Sequence, residues 1–143
     1  MRLTFCFALL AVSLAGCGSG NGGSPTSPSP APTINVGFSA TDLRVGTGAE
    51  ATTGRSVSVR YTLWVYSTTA ADNKGNQLQS GPFDFVVGQG AIQGFSMGVN
   101  GMRVGGLRRV VVPPNLGYGN NPPDPSIRPN ETLLFEIELL AVR

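Results

Sequence analysis

Histidine is absent from the 143-residue chain, cysteine occurs twice, and charged residues make up 13% of it, about half the usual share for a soluble domain. Without imidazole the chain lacks the commonest metal ligand and the commonest general base near neutral pH. Ser-His-Asp and Cys-His nucleophile schemes and His-ligated zinc are therefore excluded. Ten Lys+Arg against eight Asp+Glu leave a net charge of +2, too little for gripping phosphate backbones, so nucleic acid is not an expected partner. No nucleophile–base pair and no metal cluster can be assembled from the residues present, and no cofactor is expected.

The apolar run Leu3 to Ala15 follows Arg2 and is too short to cross a bilayer as a stable helix. It ends at Leu14-Ala15-Gly16-Cys17, which is similar to the bacterial lipobox. That resemblance implies a lipoprotein signal peptide over residues 1–16, cleavage before Cys17, and lipidation of the Cys17 thiol, an acyl anchor to the membrane and not a span. The alternative is an ordinary signal peptide with a chance cysteine. Cys6 lies in the removed segment, so no disulfide is available to the mature domain. The anchor implies a bacterial envelope location, and Gly18 after the cysteine points to the periplasmic face of the outer membrane. Residues 17–33 form the lipidated cysteine and a Gly/Ser/Pro-rich linker without charge. Such a composition cannot bury a core; as flexible coil it spans about 22 Å.

Residues 34–143 match one domain able to bury roughly 65% of its unfolded surface. Val57, Val59, Tyr61, Leu63 and Val65 alternate at period two within residues 55–66, and Leu133, Phe135, Ile137 and Leu139 do so within 131–142, which predicts two half-buried strands. Shorter strands are expected at Thr41–Val45, Phe83–Val87 and Leu107–Val112; the last has an Arg and a Val at both parities, so its facing stays open. One helix is expected at Ala91–Val99, with Ile92, Phe95 and Val99 on one stripe. It is short and contains Gly94 and Gly98, so it needs the sheet to hold it. These elements predict an α+β fold, an antiparallel sheet wrapped over one short helix. Residues 67–81 and 113–130 are expected as loops, the second holding six of the seven prolines of 34–143.

Gly88-Gln89-Gly90 before Gly94 does not have dinucleotide-binding spacing, and Gly101 to Gly106 lacks the Lys of a phosphate loop. Asp84, Glu136 and Glu138 are expected on solvated strand faces. Tyr61, Phe83, Phe85, Phe95 and Phe135 are core candidates. Tyr118, between two glycines in the Pro-rich loop, is a candidate ligand-facing wall.

Six collinear segments, VRYTLWVY at 59–66, GPFDF at 81–85, AIQGF at 91–95, GMRVGG at 101–106, Tyr118-Gly119 and LLFEIELL at 133–140, resemble the FKBP-type peptidyl-prolyl cis-trans isomerases. The resemblance implies a half-barrel of about five strands and catalysed rotation of X-Pro bonds in extracytoplasmic proteins. It implies catalytic roles for Tyr61, Ile92, Phe95 and Tyr118, the Ile92 N–H and the Tyr118 hydroxyl being donors to substrate carbonyls. Phe83, Ala91, Ile127, Phe135, Leu78 and Gln79 would bind substrate. Implied partners are proline-containing polypeptides and macrolide inhibitors, with the domain working as a monomer. Phe95 occupies a floor position usually held by tryptophan, for which phenylalanine is a familiar smaller substitute. Two departures stand out: Leu78-Gln79 replaces a usual Phe-Asp, and Pro123 and Ser126 differ from the usual loop residues. The loss of an aromatic wall and a carboxylate keeps open an alternative, a tethered chaperone or binding module of the same fold. An immunoglobulin-like sandwich also fits the short strands, though not the helical stripe.

Overall fold

The computed structural model describes Ser29, Ala31 and residues 34–143. The expected signal peptide and Cys17 lie outside the described residues. Strands β1 (Ser39–Arg44), β2 (Ser56–Tyr66), β3 (Lys74–Val86), β4 (Leu107–Val112) and β5 (Leu133–Val142) form one antiparallel sheet in the order β1-β4-β5-β2-β3, and helix α1 (Gln93–Val99) lies between β3 and β4 in the chain.

β2 and β5 form the centre because their period-two faces meet. Val59 stands opposite Leu139 and Leu63 opposite Phe135, and the inward residues join Phe95, Val99, Val110, Val112 and Ile127 in a single core between sheet and helix. The ambiguous facing of β4 is resolved by the helix. A β-carbon on Gly94 would lie 2.5 Å from a methyl of Val112, and one on Gly98 would lie 2.6 Å from a methyl of Val110. Val110 and Val112 therefore face inward, and the two glycines are what lets α1 settle onto β4. Arg108, on the same side, donates to the carbonyls of Gly98 at 3.0 Å and Asn100 at 3.2 Å, tying down the helix C-terminus. Its other nitrogens bind both carboxylate oxygens of Asp42 on β1.

The opposite sheet face is more than a solvated surface. Leu134 is fully buried there between Trp64 and Val111 in register. Glu136 accepts from Lys74 and Arg109 at 2.8 and 2.9 Å, and Lys74 sits 4.6 Å over the Trp64 ring.

One expectation is corrected. The loop expected at residues 67–81 is mostly strand, because β3 begins at Lys74 and pairs with β2 through two register shifts. Its first half forms a sheet edge with polar, half-exposed residues, so no apolar alternation announced it. Ala31, within the expected linker, is 7% exposed and donates its N–H to the Pro129 carbonyl at 3.1 Å.

Candidate active site

Three strands contribute rings to one spot. Tyr61 comes from β2, Phe83 and Phe85 from the neighbouring stretch of β3, Phe135 from β5, and Phe95 rises from α1 beneath them. Phe95 is the hub: its centroid lies 5.6 Å from Tyr61, 6.0 Å from Phe83, 5.4 Å from Phe85 and 5.2 Å from Phe135, with interplanar angles of 63° to 81°. These edge-to-face contacts are the favoured aromatic geometry, each worth about 0.5–1.5 kcal/mol beyond area burial. Phe95 is 4% exposed, a floor and not a rim.

Above this floor opens a cleft of about 510 Å³ lined by Tyr61, Leu63, Gln79, Phe83, Gly90, Ala91, Ile92, Phe95, Tyr118 and Phe135. No lining side chain is charged. Ile92 has the extended N-cap conformation of α1, and its carbonyl accepts from the N–H groups of Phe95 and Ser96, both at 3.1 Å. Among the described residues no backbone carbonyl engages the N–H of Ile92 itself. Gly90, at φ +77°, makes the reversal that brings Ala91 and Ile92 to the mouth, a conformation that favours glycine.

Tyr118 arrives from the Pro-rich loop. That loop is ordered by a 3-10 turn at Pro114–Leu116 and by the N–H of Asn130 donating to the Gly119 carbonyl at 2.7 Å. Burial pushes the Tyr118 phenol above its ordinary value of 10; burial first, and then the facing Tyr118 hydroxyl, raise that of Tyr61. Both hydroxyls hold their protons at neutral pH and can donate.

Eight of the ten residues implied to act on substrate thus converge: Tyr61, Gln79, Phe83, Ala91, Ile92, Phe95, Tyr118 and Phe135. Two do not line the cleft. Ile127 is 6% exposed, within the core. Leu78 sits unpaired at a register shift between β2 and β3, packs against the core and lines a separate groove with Val65 and Ile34, while Gln79 lines the cleft. Leu63 and Gly90 were missed; the period-two pairing of Leu63 with Tyr61 is the signal that placed it on this face. Among the described residues no group of three or more Asp, Glu or Cys could hold a metal, and no helix is long and apolar enough to cross a membrane.

The site can bind an uncharged, ring-sized apolar group and offer it hydrogen-bond donors, with no acid or base in reach. The model of the FKBP-type peptidyl-prolyl cis-trans isomerases matches residues 48–140. The chain is similar to an FK506-binding protein of Neisseria meningitidis serogroup B, 38% identical over 106 residues covering 74% of this chain and 96% of that one. It is 42% identical over 113 residues to the 39 kDa FK506-binding nuclear protein of Drosophila melanogaster, covering 77% of this chain but only 30% of that longer protein. Among solved structures, the peptidyl-prolyl cis-trans isomerase of Pseudomonas syringae superposes with a TM-score of 0.62 at 30% identity, covering 73% of this chain and 74% of that one.

Proposed function

This chain belongs to the FKBP-type peptidyl-prolyl cis-trans isomerase family, and from that premise we propose that it catalyses rotation about X-Pro bonds of polypeptides outside the cytoplasm. The carrying observation is the uncharged cleft enclosed by Tyr61, Phe83, Phe95, Tyr118 and Phe135. The X-Pro barrier, about 18–20 kcal/mol, arises from amide resonance. A twisted amide has lost resonance and charge separation, so leaving water costs it less than it costs the planar ground state. An apolar cleft therefore binds it preferentially, which is catalysis by differential binding. The Ile92 N–H and the Tyr118 hydroxyl donate to carbonyls flanking the rotating bond. An acceleration of four decades requires about 5.5 kcal/mol in all.

Substrates are proline-containing segments, and macrolides of the kind named for the relatives compete for the same floor. The domain acts as a monomer, held to the periplasmic face of the outer membrane through lipidated Cys17. One observation favours a second reading, a binding module with little turnover: Gln79, a neutral amide, lines the cleft where the family commonly has a carboxylate.

A chymotrypsin-coupled proline-tetrapeptide assay separates the two. The isomerase reading expects acceleration proportional to enzyme concentration; a rate equal to solvent with peptide still bound moves the assignment to the binding module. For the anchor, Cys17→Ser should release the protein from the membrane fraction, and a variant that stays there contradicts lipidation.

A further inference from the structure

The segment leading into the domain is made of the chemistry the cleft takes. Residues 24–33 contain four X-Pro bonds, Ser24-Pro25, Ser27-Pro28, Ser29-Pro30 and Ala31-Pro32, and no charge. The structure fixes where this run arrives. The Ala31 N–H donates to the Pro129 carbonyl at 3.1 Å, and the N–H of the next residue, Asn130, donates to the Gly119 carbonyl at 2.7 Å. Gly119 directly follows Tyr118, a wall of the cleft. Two hydrogen bonds and one peptide unit therefore connect the tether to the rim of the site. On the other side of this anchor, Ile34 lines a groove of about 550 Å³ shared with Leu78, whose neighbour Gln79 is itself cleft wall.

Reach and concentration follow. Pro28 is three residues from Ala31 and can stand at most about 10 Å from it, and Pro25, six residues away, at most about 20 Å. A segment this short, held at the rim, presents its own X-Pro bonds at an effective concentration in the millimolar range. Neither partner bears charge: the cleft offers rings, backbone N–H and the Gln79 amide, and the tether offers serine, threonine and proline.

We propose that the Ser24-Pro25 and Ser27-Pro28 bonds of this chain's own tether enter the cleft in cis and are isomerised there. The tether is then a substrate of its own domain and a competitor of incoming chains. This rests on the isomerase reading above, and the test keeps the two apart.

The cis/trans exchange rate at Ser27-Pro28 is measured by NMR exchange spectroscopy on the full chain, beside tetrapeptide turnover by the same sample. Uncatalysed exchange takes tens to hundreds of seconds; the proposal expects it to be at least about a hundredfold faster. The rate should not change on tenfold dilution of the protein. Replacing both prolines (P25A/P28A), which leaves the cleft untouched, should raise kcat/KM for the tetrapeptide by about twofold or more as the internal competitor is removed. Tetrapeptide turnover with tether exchange at the solvent rate overturns this inference and leaves the isomerase reading standing. Exchange that scales with protein concentration is action in trans and overturns it as well. A chain that turns over neither bond loses both readings together.

Discussion

Replacing Gly94 by alanine tests whether the close seating of α1 on β4 builds the cleft. The added methyl would stand 2.5 and 2.9 Å from the two Val112 methyls and 3.2 Å from the Leu116 carbonyl oxygen, against an ordinary carbon–carbon contact of about 3.5–4.0 Å. Val112 is fully buried, and its branched side chain has little rotamer freedom, so the helix must move outward by about 1 Å. Overpacking of this kind costs about 1–3 kcal/mol. Alanine in place of glycine returns about 1 kcal/mol of helix propensity, leaving a net loss of about 1 kcal/mol. The functional cost is larger, because Phe95 and the Ile92 N–H move with the helix and a displacement near 1 Å can cost about a hundredfold in rate. Urea denaturation and tetrapeptide kcat/KM should therefore diverge, with a small drop in stability and a ten- to hundredfold drop in turnover, by this estimate. Val112→Ala in the same chain should recover part of the turnover. Gly37→Ala, where nothing lies within 4 Å of the new β-carbon, should change neither. Full activity and stability for Gly94→Ala would refute the claim that close approach positions the site.

Three further outcomes are expected. Tyr118→Phe should leave the melting temperature unchanged and lower kcat/KM about two- to tenfold, the worth of one hydrogen bond; an unchanged kcat/KM removes the hydroxyl from the mechanism. Arg108→Ala loses the clamp on the Gly98 and Asn100 carbonyls and the pair with Asp42, and should cost about 1–3 kcal/mol in urea denaturation. Burial pushes the Glu136 carboxyl up, but hydrogen bonds and charge from Lys74 and Arg109 outweigh it and hold its pKa below 4.5. A pKa lower in the folded chain gives stability that is present above pH 4.5 and lost as the pH falls through the folded value. Wild type should therefore lose more of its urea midpoint between about pH 7 and about pH 3 than Glu136→Gln does; equal losses contradict the pairing.

What was legible in the sequence follows from what leaves a periodic trace. β2 and β5 bury one face each, so their alternation announced them within two residues. α1 was visible through Ile92, Phe95 and Val99, but the reason for Gly94 and Gly98 was not, because a close approach to Val112 and Val110 exists only once β4 is beside the helix. The first half of β3 left no trace because an edge strand with exposed Gln77, Gln79 and Ser80 has no face to bury. Within the site, the convergence of Tyr61, Phe83, Phe95, Tyr118 and Phe135 was expected from collinear segments resembling a known family. The side taken by Leu78 was not legible, because it sits at a register shift between β2 and β3 where period-two alternation breaks. The anchoring of Ala31 by Pro129 joins residues about a hundred positions apart and has no local signature.

The central claim is that an uncharged aromatic cleft lowers the rotation barrier without proton transfer. Its most direct test is the pH profile of kcat/KM for a proline tetrapeptide, followed by NMR line shape so that no coupled protease limits the range. The lining contains no group that titrates near neutrality, and both tyrosines are pushed above 10. The profile should therefore be flat from about pH 5.5 to about pH 8. A bell, or a limb with a slope of one per pH unit inside that window, would contradict the account.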